Sequence, residues 1–222
     1  MFLGHYAVAL AAKKVASKTS FGTLILSAQF LDLLWPIFLL SGLEHFRIEP
    51  GNTAMTPFDF YDYPYSHSLL SSIGWGIGAG YLYYLTTKYT RGAIIIAIGV
   101  ISHWVLDFIT HRPDMPIIPG VNFYVGLGLW NSITATIALE GIIFVVGLFF
   151  YLKTTQSTDK KGTYGFWSLL VFLVIIWIAN IFGPPPPGET PVAFSALLLW
   201  LLVPWGYWID RHRNNSNVHT HS

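Results

Sequence analysis

The stretch Ser102-His103-Trp104-Val105-Leu106-Asp107-Phe108-Ile109-Thr110-His111 places two histidines and a carboxylate at i, i+4 and i+8. On a helix these three share one face. His-x3-Asp is a spacing at which side chains from successive turns ligate one metal ion. The flanking residues are apolar enough for lipid, where an ionisable group is costly unless it serves a site with partners. A polar stripe that only glues helices together is the bland alternative. Because the chain has no cysteine, thiolate ligands, thiolate nucleophiles and disulfides are excluded. Any metal would rest on imidazole and carboxylate alone.

The elements that must position this stripe follow from composition. Of 222 residues, 53% are hydrophobic and 10% charged, against about 25% charged in soluble domains. That composition marks an integral membrane protein. A net charge of +1 argues against a nucleic-acid partner. With about 20 apolar residues needed per crossing, six stretches qualify: 21–43, 68–86, 92–110, 132–152, 165–183 and 192–209. Asp32 and Pro36 interrupt the first. Residues 1–12 are apolar but too short to cross, and Lys13-Lys14 follows them. The expected fold class is therefore all-α: a polytopic membrane helix bundle of six transmembrane helices plus a short half-inserted N-terminal helix. Residues 1–213 form one integral-membrane domain, and 214–222 a disordered cytoplasmic tail whose His219 and His221 are incidental. The order of charges and apolar residues does not fit a cleaved signal, so the mature chain is expected to begin near Met1.

Six spans divide the twelve Lys and Arg residues ten to two. Only Arg47 and Arg112 fall on the minority side, which the positive-inside rule makes the outside. Both termini are then cytoplasmic. Glu44–His67 and His111–Asn131 are outer loops, and Pro184–Pro187 is a rigid outer turn. Gly74, Gly76, Gly78 and Gly80 give the second span a small-residue face for close packing.

Depth connects the remaining ionisable groups. At about 1.5 Å per residue, Asp32, His103 and Glu140 all lie roughly 17–18 Å from the cytoplasmic edge, and His5 roughly 12 Å. Asp107 is about one turn beyond His103. His67 and His111 mark the outer ends of the second and third spans. Pairwise salt bridging, for instance His103 with Asp32, would leave Asp107, Glu140 and His5 without partners. Carboxylates at this depth need protons or a cation. A divalent metal is the economical answer, and zinc, manganese or iron all suit such ligands. The metal candidates are His5, Asp32, His67, His103 and Asp107. Glu140 and Asp107 are the catalytic candidates, with Glu140 as general base. His111, Ser66, Ser68 and Asn131 are candidates for supporting these groups or holding substrate. Capping of helices is the plainer role for Ser66, Ser68 and Asn131. His45 reads as a surface residue, His212 as a cytoplasmic anchor and Asn180 as a helix-contact group.

These elements together resemble the membrane-bound metal-dependent hydrolases, also described as LexA-binding, inner-membrane-associated hydrolases. The likeness lies in Gly4-His5-Tyr6, in Asp32 within Phe30-Leu31-Asp32-Leu33-Leu34, in Ser66-His67-Ser68-Leu69, and in Ser102-His103-Trp104-Val105-Leu106-Asp107. Gly126-Leu127-Gly128-Leu129-Trp130-Asn131-Ser132 and Glu140 have the family's character as well. Tyr63-Pro64-Tyr65 stands where the family has a basic residue ahead of its Thr-His-Ser element, which weakens phosphate binding there. The resemblance implies a hydrolase in a bacterial or archaeal cytoplasmic membrane, using a divalent metal, most simply zinc. A lipid or other amphipathic ester or phosphoester is the natural substrate, and the lipid bilayer its setting. Two other functions use the same cluster: a proton- or divalent-cation-coupled transporter, and a non-catalytic accessory membrane protein.

Overall fold

Lipid offers helices no hydrophobic drive to associate, so close approach of small residues must hold much of a membrane bundle together. The computed structural model describes residues 1–216 and shows this in its first helix. α1 (Phe2–Val15) ends in Lys13 and Lys14 and is buried along most of its length. It packs on α2 (Phe21–Ala28), which Ser20 caps through the Thr23 amide. α3 (Phe30–Leu40) follows after a bend of 57° at Gln29. The sequence locates the interruption at Asp32 and Pro36; the chain instead breaks at Gln29, and Pro36 sits inside α3.

β1 (His45–Ile48) and β2 (Phe58–Asp62) form an antiparallel hairpin with an irregular register between His45 and Arg47. One turn of helix, α4 (Pro64–His67), leads into α5 (Leu69–Thr87) and α6 (Thr90–Thr110). β3 (Met115–Pro116) and β4 (Tyr124–Val125) pair beside the hairpin end of the bundle. α7 (Ile133–Thr154) runs to the opposite, lysine-rich end, where β5 (Thr155–Ser157) turns into α8 (Lys160–Phe182). After the proline run come α9 (Glu189–Leu197), a 3-10 turn at Leu198–Leu201 and α10 (Leu202–Asp210). β6 (Arg213–Asn215) then pairs antiparallel with β5. Regular structure therefore continues past Arg213, where the tail was expected to begin. His219 and His221 lie outside the described residues.

Among the described residues, four helices are long and apolar enough to cross a membrane: α6, α7, α8 and the continuous 189–210 segment. The bent α2–α3 pair makes a fifth if it counts as one span. α5 has 19 residues, but its serines, glycines and tyrosines keep it less apolar than these. Three of these helices, α6, α7 and α8, present Ile94, Ile142, Val145, Val171, Ile175 and Phe182 outward, the surface that lipid contact would require.

α1 runs through the bundle interior against α7, α2 and α6. A Cβ on Gly147 would lie 2.5 Å from the Ala7 carbonyl oxygen and 2.8 Å from its Cα. Only glycine allows that approach. Of the four glycines on α5, Gly76 and Gly80 face the α6 backbone, while Gly74 and Gly78 face open space. The helical period selects two of the four.

Candidate metal centre

Five side chains from four helices converge in the interior. α1 supplies His5, α3 supplies Asp32, the short α4 supplies His67, and α6 supplies His103 with Asp107. They form two overlapping groups, His5–His103–Asp107 and Asp32–His67–His103, each with its ligand atoms within 4.8 Å of one another. His103 Nε2 is the shared vertex. It lies 3.1 Å from Asp107 Oδ2 and 3.5 Å from Asp32 Oδ1. His67 Nε2 lies 3.5 Å from the same Asp32 oxygen and 3.8 Å from Asp107 Oδ2. His5 Nε2 approaches Asp107 Oδ1 at 3.2 Å, and its ring stacks on that of His103 with centroids 3.6 Å apart. The Met1 amino group also contacts Asp107 Oδ1.

Two of the imidazoles are fixed from behind. His103 Nδ1 donates to the Ala28 carbonyl at 2.8 Å, which leaves Nε2 as the lone-pair nitrogen pointing into the cluster. That buried Nε2 makes no hydrogen bond. The acceptor comes from the last residue of α2, just before the bend, where helical carbonyls lack intrahelical partners. His67 Nδ1 lies 2.7 Å from Ser66 Oγ, and Ser66 Oγ donates to Glu44 Oε2 at 2.6 Å. With its one proton on Glu44, the hydroxyl accepts from His67 Nδ1–H, again freeing Nε2. Glu44 also accepts from the amides of Tyr65 and Ser66 at 2.8 and 2.7 Å. Burial pushes the Glu44 carboxyl above its ordinary value.

This donor set fits a divalent metal. Bonds of about 2.0–2.1 Å to nitrogen or oxygen set tetrahedral ligand atoms roughly 3.3 Å apart, and the separations at His103 Nε2 bracket that spacing. Imidazoles with one nitrogen tied to a carbonyl or hydroxyl are the usual support of metal-ligating histidine. The fully buried Nε2 of His103 faces two carboxylate oxygens without a well-formed hydrogen bond to either, and a cation placed between them would bind all three.

Other candidates fall elsewhere. Glu140 is buried on α7, but its Oε2 accepts from the Leu3 amide at 2.7 Å. It thus holds the first turn of α1, where unpaired amides favour a carboxylate. Oε1 of Glu140 is buried without a partner. His111 is not a side-chain partner of Asp107. Its backbone amide bonds the Asp107 carbonyl, while its Nδ1 pairs with Asp114 Oδ1 at 3.0 Å. The Tyr63 hydroxyl also donates to Asp114 Oδ1 at 3.2 Å, and the Tyr63 ring lies 5.3 Å from His67 and 6.1 Å from His111. Ser68 caps α5 through the Ser71 amide. Asn131 is exposed at the end of a 3-10 turn, and Ser132 caps α7 in its stead. His45 pairs with Asp62 on the surface, and His212 with Asp159.

Sequence reasoning missed Glu44, the Ala28 carbonyl, Tyr63 and Asp114. Asp114 follows His111 at i+3, a spacing that could have suggested the pair. Glu44 is a lone acid after a span and carries no such signal.

A cavity of about 700 Å³ opens onto the centre. Asp32, His67, Asp107 and His111 line its polar end, and Asp32 is the cluster's most accessible member, its side chain 30% exposed. No protein-family model matches the chain, and neither the curated proteins nor the solved structures include a match to it.

Proposed function

We propose that the protein is a membrane-embedded, metal-dependent hydrolase acting on a lipid or another amphipathic ester or phosphoester. The observation that carries this reading is the orientation of His103 and His67, both tied through Nδ1 so that Nε2 faces Asp32 and Asp107. A helix-gluing cluster has no need to present bare lone pairs to one point. Zinc is the simplest occupant, held by side chains from the set His5, His67, His103 and Asp107, with Asp32 beside it on the cavity side. Such an ion lowers the pKa of water and polarises the oxygen of the scissile group.

The chain's own side chains do the rest. Asp32 is the carboxylate that reaches the cavity, so it takes the proton of the attacking water and returns it to the leaving oxygen. This displaces Glu140 as general base, since Glu140 is committed to the α1 amides. The reading also places both termini in the cytoplasm, makes α5 the sixth span, and sets the cavity toward the outer leaflet of a bacterial or archaeal cytoplasmic membrane.

Turnover of fluorogenic acyl and phosphodiester lipid analogues by detergent-purified protein tests the proposal. Asp32→Asn is expected to keep bound metal and lose at least 100-fold in turnover, within the range of general acid–base catalysis. His103→Ala should lose both. Full turnover in both variants would sink the assignment.

A further inference from the structure

The cavity continues away from the cluster between two helices that face the membrane. Phe172, Ile176 and Asn180 of α8 line one wall, at helical spacing, and Val192, Ala196 and Leu199 line the other. Phe172 is 40% exposed. Leu198, which also lines the cavity, is 61% exposed. These are the exposures of a cleft open at its side. At about 700 Å³ it lies within the range of roughly 300–1,000 Å³ that suits a small ligand. That is room for the ester end of one lipid, with the remaining chain left in the bilayer.

Charge decides which lipid. Among the described residues, no lysine or arginine lines the cavity. The two basic side chains near its hairpin rim are both taken: Arg47 Nη2 sits 2.7 Å from Asp59 Oδ2, and Arg112 pairs with Asp59 and Asp114. The loop covering the cavity, Pro50–Phe58, contributes Thr53 and Thr56 but no charged lining residue. The two cavity-lining carboxylates Asp32 and Asp107 would balance one divalent cation. The Met1 amino group, which also lines the cavity, is held on Asp107 with the Glu140 carboxylate close by, so no positive charge is left free for an anionic headgroup. Phosphate is ordinarily held by arginine, lysine or a helix N-terminus, and nothing of the first two kinds is free here.

We infer that the cleft between α8 and α9 is a lateral entry for a lipid with an uncharged headgroup, whose acyl ester lies against Asp32 and His67. This inference rests on the hydrolase reading for its chemistry, though not for its binding. In the reaction, water adds its oxygen to the acyl carbon, the acyl C–O bond breaks, and a proton passes to the leaving alkoxide. A fatty acid and an alcohol result, with no other reactant.

Native mass spectrometry of the detergent-purified full chain, with dioleoylglycerol and dioleoyl phosphatidic acid as probes, separates the cases. The wild type is expected to take up one dioleoylglycerol at least tenfold more tightly than phosphatidic acid. Ala196→Trp and, from the facing helix, Ile176→Trp should each weaken dioleoylglycerol binding about tenfold, with unchanged melting temperature in at least one of them. His103→Ala should retain it. Phosphatidic acid binding as well as dioleoylglycerol would overturn the inference, as would wild-type affinity in both tryptophan variants. Dioleoylglycerol bound but never hydrolysed would sink the hydrolase reading while supporting the cleft.

Discussion

Ser66 and Ser68 flank the same histidine yet do different work, and their variants should separate accordingly. Ser66 Oγ bridges Glu44 to His67 Nδ1, so Ser66→Ala lets the imidazole rotate and swap tautomers. Loss of such a support typically costs 10–100-fold in metal affinity, and a zinc titration should show it with little change in melting temperature. Ser68 accepts the Ser71 amide at the start of α5, so Ser68→Ala should cost about 1 kcal/mol of stability and leave zinc affinity unchanged. Equal effects of the two variants on affinity would contradict the division. Glu44 adds a pH signature. A carboxyl raised on folding keeps its stabilising proton below the ordinary value of 4.5, and that contribution falls as pH rises through the raised value. The melting temperature of wild type minus that of Glu44→Gln, measured on metal-free protein, should therefore decrease from pH 4 toward neutrality. An increase would refute the assignment. The spacing of His103 and Asp107 was legible in the sequence. Their supports were not, because a carbonyl has no side-chain signature and Glu44 reaches Ser66 across 22 residues.

α1 is the element on which the centre depends most. It carries His5, and its first turn is anchored by Glu140 through Leu3. Its seat against α7 requires the bare backbone of Gly147, since a Cβ there would meet Ala7 main-chain atoms at 2.5 and 2.8 Å. Backbone cannot swing aside as a side chain can, so Gly147→Ala should destabilise by about 1–3 kcal/mol. It should also weaken metal binding by displacing His5. Thermal melts and zinc titration read both effects; unchanged values for both would show that α1 tolerates the shift. The apolar run of residues 1–12 and the lysines after it made a short N-terminal helix readable in advance. Its partner was not readable, since Gly147 is one of 20 glycines and nothing in the sequence marks it as the crossing point. The depth rule brought Glu140 to the level of the cluster, where its Oε2 accepts from the Leu3 amide. Depth gives height along the bundle and says nothing of direction, and Glu140 turns toward the α1 amides. α5 is the complementary case: its 19 residues are long enough for a span, while its serines, glycines and tyrosines leave it less apolar than the four helices that stand out by composition.

The molecule as a whole separates its charges by end. The hairpin end holds Arg47 and Arg112, locked onto Asp59, and the lysine-rich end is tied by β5–β6 pairing and by Arg213 over the Tyr151 and Phe166 rings. Because the chain lacks cysteine, single-cysteine labelling tests the proposed orientation cleanly. A membrane-impermeant maleimide should label Asn52→Cys on intact cells and Gln156→Cys only after permeabilisation; the reverse pattern would invert the topology. Neither orientation nor substrate matters, however, if the converging histidines and aspartates hold no ion. The decisive measurement is elemental analysis of the full chain purified without chelators, alongside a folded His103→Ala variant. About one equivalent of a divalent metal per wild-type chain, lost in the variant, is the predicted result. No stoichiometric metal in the wild type, or full retention in His103→Ala, would contradict a metal centre here.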